Sequence, residues 1–225
     1  MTKKKTLRVT IVAYPGMTML DAIGPNDVLA NSPHFDVEWV STSIDELVND
    51  HANLQLSALK HYTTVASTDI LLIPGGAGDH ALMQNTEFLE WIKTIDQTSV
   101  LTTAVCTGSL VLAKTGLLTN HKACTHWACL NELSDFGAQP VRQRFVRSGK
   151  YVTASGVSSG IDMALYLVKS LISKTHARDL RFGIEYFPNQ YHLLSSYSLP
   201  RRYLDKLATR FHNVFSLARS RFDKS

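Results

Sequence analysis

Cysteine is scarce in this chain, and the little present does not pair by spacing. Cys106, Cys124 and Cys129 are the three, with no C-x-x-C between any two. An odd count without a secretion signal argues against a disulfide framework and for a reducing compartment. Long apolar runs are missing too. The basic start M-T-K-K-K-T leads into a short run, residues 9–14, broken by Thr10 and ended by Pro15-Gly16. That reads as a first core strand rather than a signal peptide, and no stretch is long enough to span a membrane. The expectation is a cytoplasmic protein with no membrane partner. The nine histidines include no H-x-x-x-H pair and no H-E-x-x-H, so no metal centre is expected. Repeats, low-complexity tracts and linkers are also absent. What remains is 225 residues at 44% hydrophobic and 19% charged. That composition suits one large soluble α/β domain with a full core.

The net charge of +4 is unevenly spread. Residues 200–225 hold seven basic side chains against two acidic, a balance of +5, which leaves about −1 for the rest. The same tail, residues 203–222, reads as an amphipathic helix with Leu204, Leu207, Phe211, Val214, Phe215 and Ala218 inward. An apolar stripe of that kind favours packing on the domain or on a partner subunit over nucleic-acid contact.

Residues 7–14 predict the first strand. Residues 20–29 predict a helix with Pro25 tolerated in its first turn. Residues 35–42 predict a second strand, residues 45–59 a short β excursion, and residues 68–73 a third, buried strand ending in Pro74-Gly75-Gly76-Ala77-Gly78. Residues 87–95 predict a helix with Phe88, Trp91, Ile92 and Ile95 on one face. Further on, residues 126–133 predict a short helix. Residues 141–146 and 150–154 predict a hairpin about Ser148-Gly149. Residues 158–173 and 177–186 predict helices, and residues 187–198 a loop. Alternating strand and helix imply a mostly parallel sheet covered on both faces, with ligands beyond the carboxyl ends of the strands. Residues 15–25, 74–78 and 106–109 should therefore meet on one edge.

The rest of the chain is organised around residues 100–109, V-L-T-T-A-V-C-T-G-S. A β-branched strand runs into Cys106, and a helix follows until Gly116. Ala104-x-Cys106-x-Gly108 has the small-x-nucleophile-x-small spacing of a nucleophile elbow. The turn should push the sulfur out of the sheet, and the helix start behind it should favour thiolate. The alternative is a buried core cysteine. Asp21 would reach Cys106 if the first strand neighbours the elbow strand; otherwise it reads as a helix N-cap. A carboxyl beside a sulfur can stay protonated and shuttle that proton. Gly75 and Gly76 can offer N–H groups to a developing negative charge, or simply form a turn. Gly76-x-Gly78-x-x-Ala81 fits a dinucleotide fingerprint but does not follow the first strand and lacks the acidic partner. His126, in Thr125-His126-Trp127, either orients a Cys–His pair or is structural, and the structural reading is favoured because nothing local holds its second nitrogen. Ser155-Gly156 and Ser158-Ser159-Gly160 either line the pocket or cap the helix after them.

Three blocks together resemble the DJ-1/PfpI superfamily: Leu20-Asp21-x-x-Gly24-Pro25, Ile73-Pro74-Gly75-Gly76, and Ala104-Val105-Cys106-Thr107-Gly108-Ser109. The stretch from Val105, V-C-T-G-S-L-V-L-A-K-T-G-L-L, with Thr125-His126-Trp127, resembles the isocyanide (isonitrile) hydratase branch. AraC-type regulators whose N-terminal domain has this fold share much of it. The resemblance implies a single-domain flavodoxin-like sandwich of the class I glutamine amidotransferase-like kind over residues 1–186. Residues 187–225 would be a C-terminal helical extension packed on it. It implies Cys106 as nucleophile, Asp21 as general acid/base, and Thr107 hydrogen-bonded to Asp21. Gly75, Gly76 and Gly108 would serve the oxyanion and substrate. It further implies a homodimer acting on a small-molecule substrate, with no metal or organic cofactor. Thr107, where protease-like members have His, counts against a peptidase. Gly156-Val157-Ser158-Ser159-Gly160 is more polar than the branch pattern. The activity implied is hydration of small isocyanides to N-substituted formamides. The alternatives are an amidase, a glyoxalase-like enzyme, or a non-enzymatic redox- or ligand-sensing domain.

Overall fold

The computed structural model describes residues 6–43, 47–57 and 59–188. The expected C-terminal helix and most of the loop before it lie outside the described residues. In chain order the elements are β1 (Leu7–Ala13), α1 (Met19–Ala30), β2 (Phe35–Ser41), β3 (Leu47–Val48), β4 (Gln55–Leu56), β5 (Lys60–His61) and β6 (Ile70–Ile73). Then come α2 (Asp79–Gln84), α3 (Thr86–Thr98), β7 (Leu101–Val105), α4 (Gly108–Lys114), β8 (Lys122–Ala123), α5 (Glu132–Asp135) and β9 (Gln139–Pro140). A hairpin of β10 (Phe145–Ser148) and β11 (Tyr151–Ala154) precedes α6 (Ser159–Leu171) and α7 (Lys174–Gly183).

Seven strands form one sheet in the order β10-β11-β7-β6-β1-β2-β5. Every pairing is parallel except the β10–β11 hairpin. The central strands carry Val, Ile, Leu and Thr at consecutive positions and are buried along most of their length, β6 and β7 throughout. Such runs fit strands covered on both faces, where alternation is not required. Two helical groups provide the cover, α1 with α6 and α7, and α2 with α3 and α4. Each fully buried Ile or Leu there contributes about 1.5–3 kcal/mol by leaving water.

The structure corrects the expected neighbourhood of the first strand. β6 lies between β1 and the elbow strand β7, so β1 and β7 are not adjacent. Pro25 lies in the second turn of α1 rather than the first, because the helix begins at Met19. It is accommodated where its missing N–H leaves one carbonyl without a helical partner. The predicted helix over residues 126–133 is a 3₁₀ turn at Trp127–Cys129 followed by the single turn α5. The hairpin turns at Ser148-Gly149 as expected, and its first strand begins at Phe145. The β excursion contains the antiparallel pair β3–β4.

α3 shows how the sequence sets a boundary. The Asn85 side chain accepts from Phe88 N at 3.0 Å and caps the helix. Its buried face is Phe88, Ile92, Ile95 and Asp96. Trp91 packs at the margin, stacked on Phe88, with its indole N–H on Val65 O at 3.1 Å.

Candidate functional site

The three strand-end stretches do meet. Thr18 N donates to Gly75 O at 2.8 Å, Gly78 N to Gly16 O at 3.1 Å, and Gly76 N to Thr107 Oγ1 at 3.0 Å. The loop after β6 thus stitches the loop after β1 to the elbow. The seam leaves no room at Gly75, where an added Cβ would lie 2.4 Å from Thr107 N and 2.9 Å from Cys106 Cβ. Gly108 is equally confined, with Ile73 O 2.3 Å from the same position. Two close backbone approaches explain two of the glycines that sequence alone could assign to turns.

Cys106 follows β7 directly, with φ +57°. A side chain in that left-handed region costs about 1–3 kcal/mol and persists where the surroundings enforce it. Here they do: Cys106 N donates to Ala154 O at 2.9 Å, and its carbonyl accepts from Ser109 N and from the Thr125 hydroxyl at 2.7 Å. The elbow is therefore present, but its sulfur does not stand in solvent. Cys106 is 1% exposed. Burial, then the nearby Asp21 charge, push its thiol well above the ordinary value, while the Thr107 N–H works the other way. The expectation of an exposed, thiolate-favouring sulfur is corrected. α4 is a short helix, and desolvation outweighs whatever its start contributes.

Asp21 is fully buried in the first turn of α1. It is not the cap, which falls at Thr18, whose hydroxyl donates to Asp50 at 2.5 Å. The Asp21 Oδ2 accepts from Gly75 N at 3.0 Å. Its Oδ1 has no hydrogen-bond partner among the described residues. Burial raises this carboxyl to about 7, and Asp50 adds to the rise. Gly75 N–H and the adjacent Cys106 thiol oppose it. α1, not strand adjacency, carries the acid to the sulfur.

Two further expectations fail on partners. Thr107 bonds Gly76 rather than Asp21, its hydroxyl taking the Gly76 N–H. The Gly75 and Gly76 N–H groups are held by Asp21 and Thr107, so they do not face open space as oxyanion donors. The backbone of the Gly76-x-Gly78-x-x-Ala81 stretch is likewise engaged, in the seam with residues 16–18, which leaves little of it for a pyrophosphate. No group of three or more His, Cys, Asp or Glu among the described residues has a metal-binding arrangement.

His126 is nine-tenths buried, and desolvation lowers it to about 4, so the ring is neutral at pH 7. Its Nδ1 accepts from Ala128 N at 3.4 Å. Ser158 is the N-cap of α6, and its hydroxyl accepts from Arg144 at 3.1 Å. Ser159 holds Gly156 N at 2.8 Å.

Three residues that sequence reasoning passed over belong here. Tyr14, 1% exposed, donates its hydroxyl to Pro74 O at 3.0 Å. Burial and the charges of Asp79, Asp21 and Cys106 raise that hydroxyl well above its usual value. Asp79 opens α2 and is fully buried, and Asp50 acts on Asp21. Tyr14 stands directly before the Pro15-Gly16 turn and Asp79 directly after Gly78, and either turn could have flagged its neighbour. Asp50 sits in the irregular excursion and carried no signal.

A mostly parallel sheet with a left-handed cysteine on the turn after a central strand defines a flavodoxin-like α/β protein with a sharp strand-to-helix elbow at that cysteine. Within that class the chain belongs to the DJ-1/PfpI family, whose profile matches residues 7–170. It is 36% identical to isonitrile hydratase of Pseudomonas putida over 182 residues, 81% of this chain and 79% of that one. A ThiJ/PfpI family protein from Pseudomonas syringae superposes with a TM-score of 0.86 at 28% identity, covering 96% of this chain and 90% of that one. Similarity to the glutathione-independent glyoxalase DJR-1.2 of Caenorhabditis elegans is 28% over 103 residues, 46% of this chain and 55% of that protein.

Proposed function

We propose that the protein hydrates small isocyanides to N-substituted formamides, with Cys106 as nucleophile and Asp21 as general acid and base. One observation carries the reading: a buried carboxyl raised to about 7, with one oxygen unpartnered, lies against the sulfur of an elbow cysteine. Such a group gives and takes a proton near neutral pH. Similarity to isonitrile hydratase supports the choice of reaction.

The steps balance without an external redox partner. Charged Asp21 takes the Cys106 proton as substrate arrives. The sulfur bonds to the isocyanide carbon, and Asp21 returns the proton to that carbon, giving a thioimidate. Asp21 then draws a proton from water, whose oxygen bonds to the same carbon. Asp21 passes that proton to the nitrogen, the C–S bond breaks as the added oxygen becomes the carbonyl, and the proton it gives up restores the Cys106 thiol as the formamide leaves. Thr107 and Gly76 hold the elbow against the loop after β6 during these steps, and Gly75 holds Asp21. The sulfur is covered at rest, so the substrate enters by local opening.

Formamide formation from a small isocyanide, followed by NMR, tests this. Cys106→Ala and Asp21→Asn should each abolish it, and normal turnover by either variant overturns the reading. The kcat/KM should rise with pH through about 7 as Asp21 becomes charged. Likeness to the nematode glyoxalase favours one second reading, action on a dicarbonyl. Consumption of methylglyoxal with no action on isocyanides would select it. We further propose a homodimer, which light scattering after gel filtration would detect.

A further inference from the structure

A second feature at the carboxyl edge of the sheet lies outside this chemistry. A cavity of about 230 Å³ is lined by Tyr14, Pro15, Thr42, Gly78, Ala81, Leu82 and Asn85. It sits past the ends of β1 and β2 and against α2. β1 is where the connections reverse, since the chain runs from β1 to β2 on one side and to β6 and β7 on the other. Ligands of open α/β sheets bind outside the strand ends at such a point. Neither Cys106 nor Asp21 lines the cavity. Tyr14 is common to both places, since it lines the cavity and its hydroxyl donates to Pro74 O, next to the peptide that holds Asp21.

We propose that this cavity binds a small uncharged molecule made of one ring and a short polar group. Size argues for one ring: an apolar cavity of about 150 Å³ takes up benzene, and this one is larger by a few heavy atoms. Among the described residues, the lining carries no ionisable side chain other than the Tyr14 phenol, which burial holds neutral. The described lining offers a charged ligand no counter-charge. Pro15, Ala81 and Leu82 offer apolar surface. The polar anchors are the Thr42 hydroxyl and the Asn85 amide N–H₂, because the Asn85 carbonyl oxygen is occupied in capping α3. An amide group on the ligand matches that pair, one hydroxyl and two N–H donors.

Benzamide is the probe, with benzoate as the charged control, titrated into the full-length protein by calorimetry or ligand-observed NMR. Benzamide should bind and benzoate should bind at least tenfold more weakly. Ala81→Trp, at an exposed position of α2, should fill the cavity and abolish binding with an unchanged circular dichroism spectrum. Thr42→Val should weaken binding about fivefold, the loss expected for one hydrogen bond. It serves as the second test if Ala81→Trp fails to fold. No benzamide binding up to its solubility, equal binding of benzoate, or benzamide binding unaffected by either variant overturns the proposal. The outcome does not depend on which reaction Cys106 performs.

Discussion

Two buried aspartates lie near opposite ends of β7, and they are treated very differently. Asp96, at the amino end, is fully provided for. It pairs with Lys150 at 3.2 Å and accepts from the Thr102 hydroxyl at 2.6 Å and from Tyr151 at 3.5 Å. Asp21, at the carboxyl end, has one backbone donor, the Cys106 thiol beside it and, among the described residues, no hydrogen-bond partner for Oδ1 and no cation in contact. The amino-end arrangement is what a buried carboxylate needs for stability. The carboxyl-end arrangement forgoes that stability and makes the acid's proton available. The comparison sets a fully partnered acid beside the one proposed to react.

The comparison breaks most sharply on activity. Asp21→Asn should lower isocyanide turnover by about 10³-fold, the scale of a lost general acid/base, while Asp96→Ala leaves it within twofold; steady-state assays on both decide. The next effect is the pH dependence of stability. The folded protein keeps on Asp21 a proton that the unfolded chain releases between pH 3.8 and about 7. Stability therefore falls as pH rises across that window, by on the order of 4 kcal/mol in all, and the loss is complete above it. Urea unfolding from pH 4 to pH 8 should show this fall in wild type and a flatter curve in Asp21→Asn. Smaller still, Asp96→Ala should destabilise by about 2 kcal/mol, because the Thr102 hydroxyl and the part-buried Lys150 lose their partner. Smallest is Tyr14→Phe, which should cost about 1 kcal/mol for the lost bond to Pro74 O. If Tyr14→Phe also moves the pH midpoint of kcat/KM, the hydroxyl helps to set the acid's proton affinity.

Much of the fold could be read from residue order, because the signals are local. Runs such as Ile70–Ile73 and the apolar face of α3 announce themselves over a few residues. The elbow at Cys106 was legible for the same reason. What escaped depends on groups far apart in the chain. The place of β6 between β1 and β7 is a matter of sheet order, which no local pattern encodes. Thr107 was assigned to the wrong partner, since its hydroxyl could meet Asp21 or Gly76 equally well until the seam was seen. The covering of the sulfur is likewise a property of packing. Residues 104–108 have the same spelling whether the thiol is open or shut.

The tight meeting at Gly75 has a dynamic consequence. With not even a methyl group's worth of slack against the Cys106 turn, neither segment can drift without dragging the other. Alkylation of the thiol and proton exchange at the Gly75 and Gly76 amides should therefore speed up in step as temperature rises, one latch reported by two clocks.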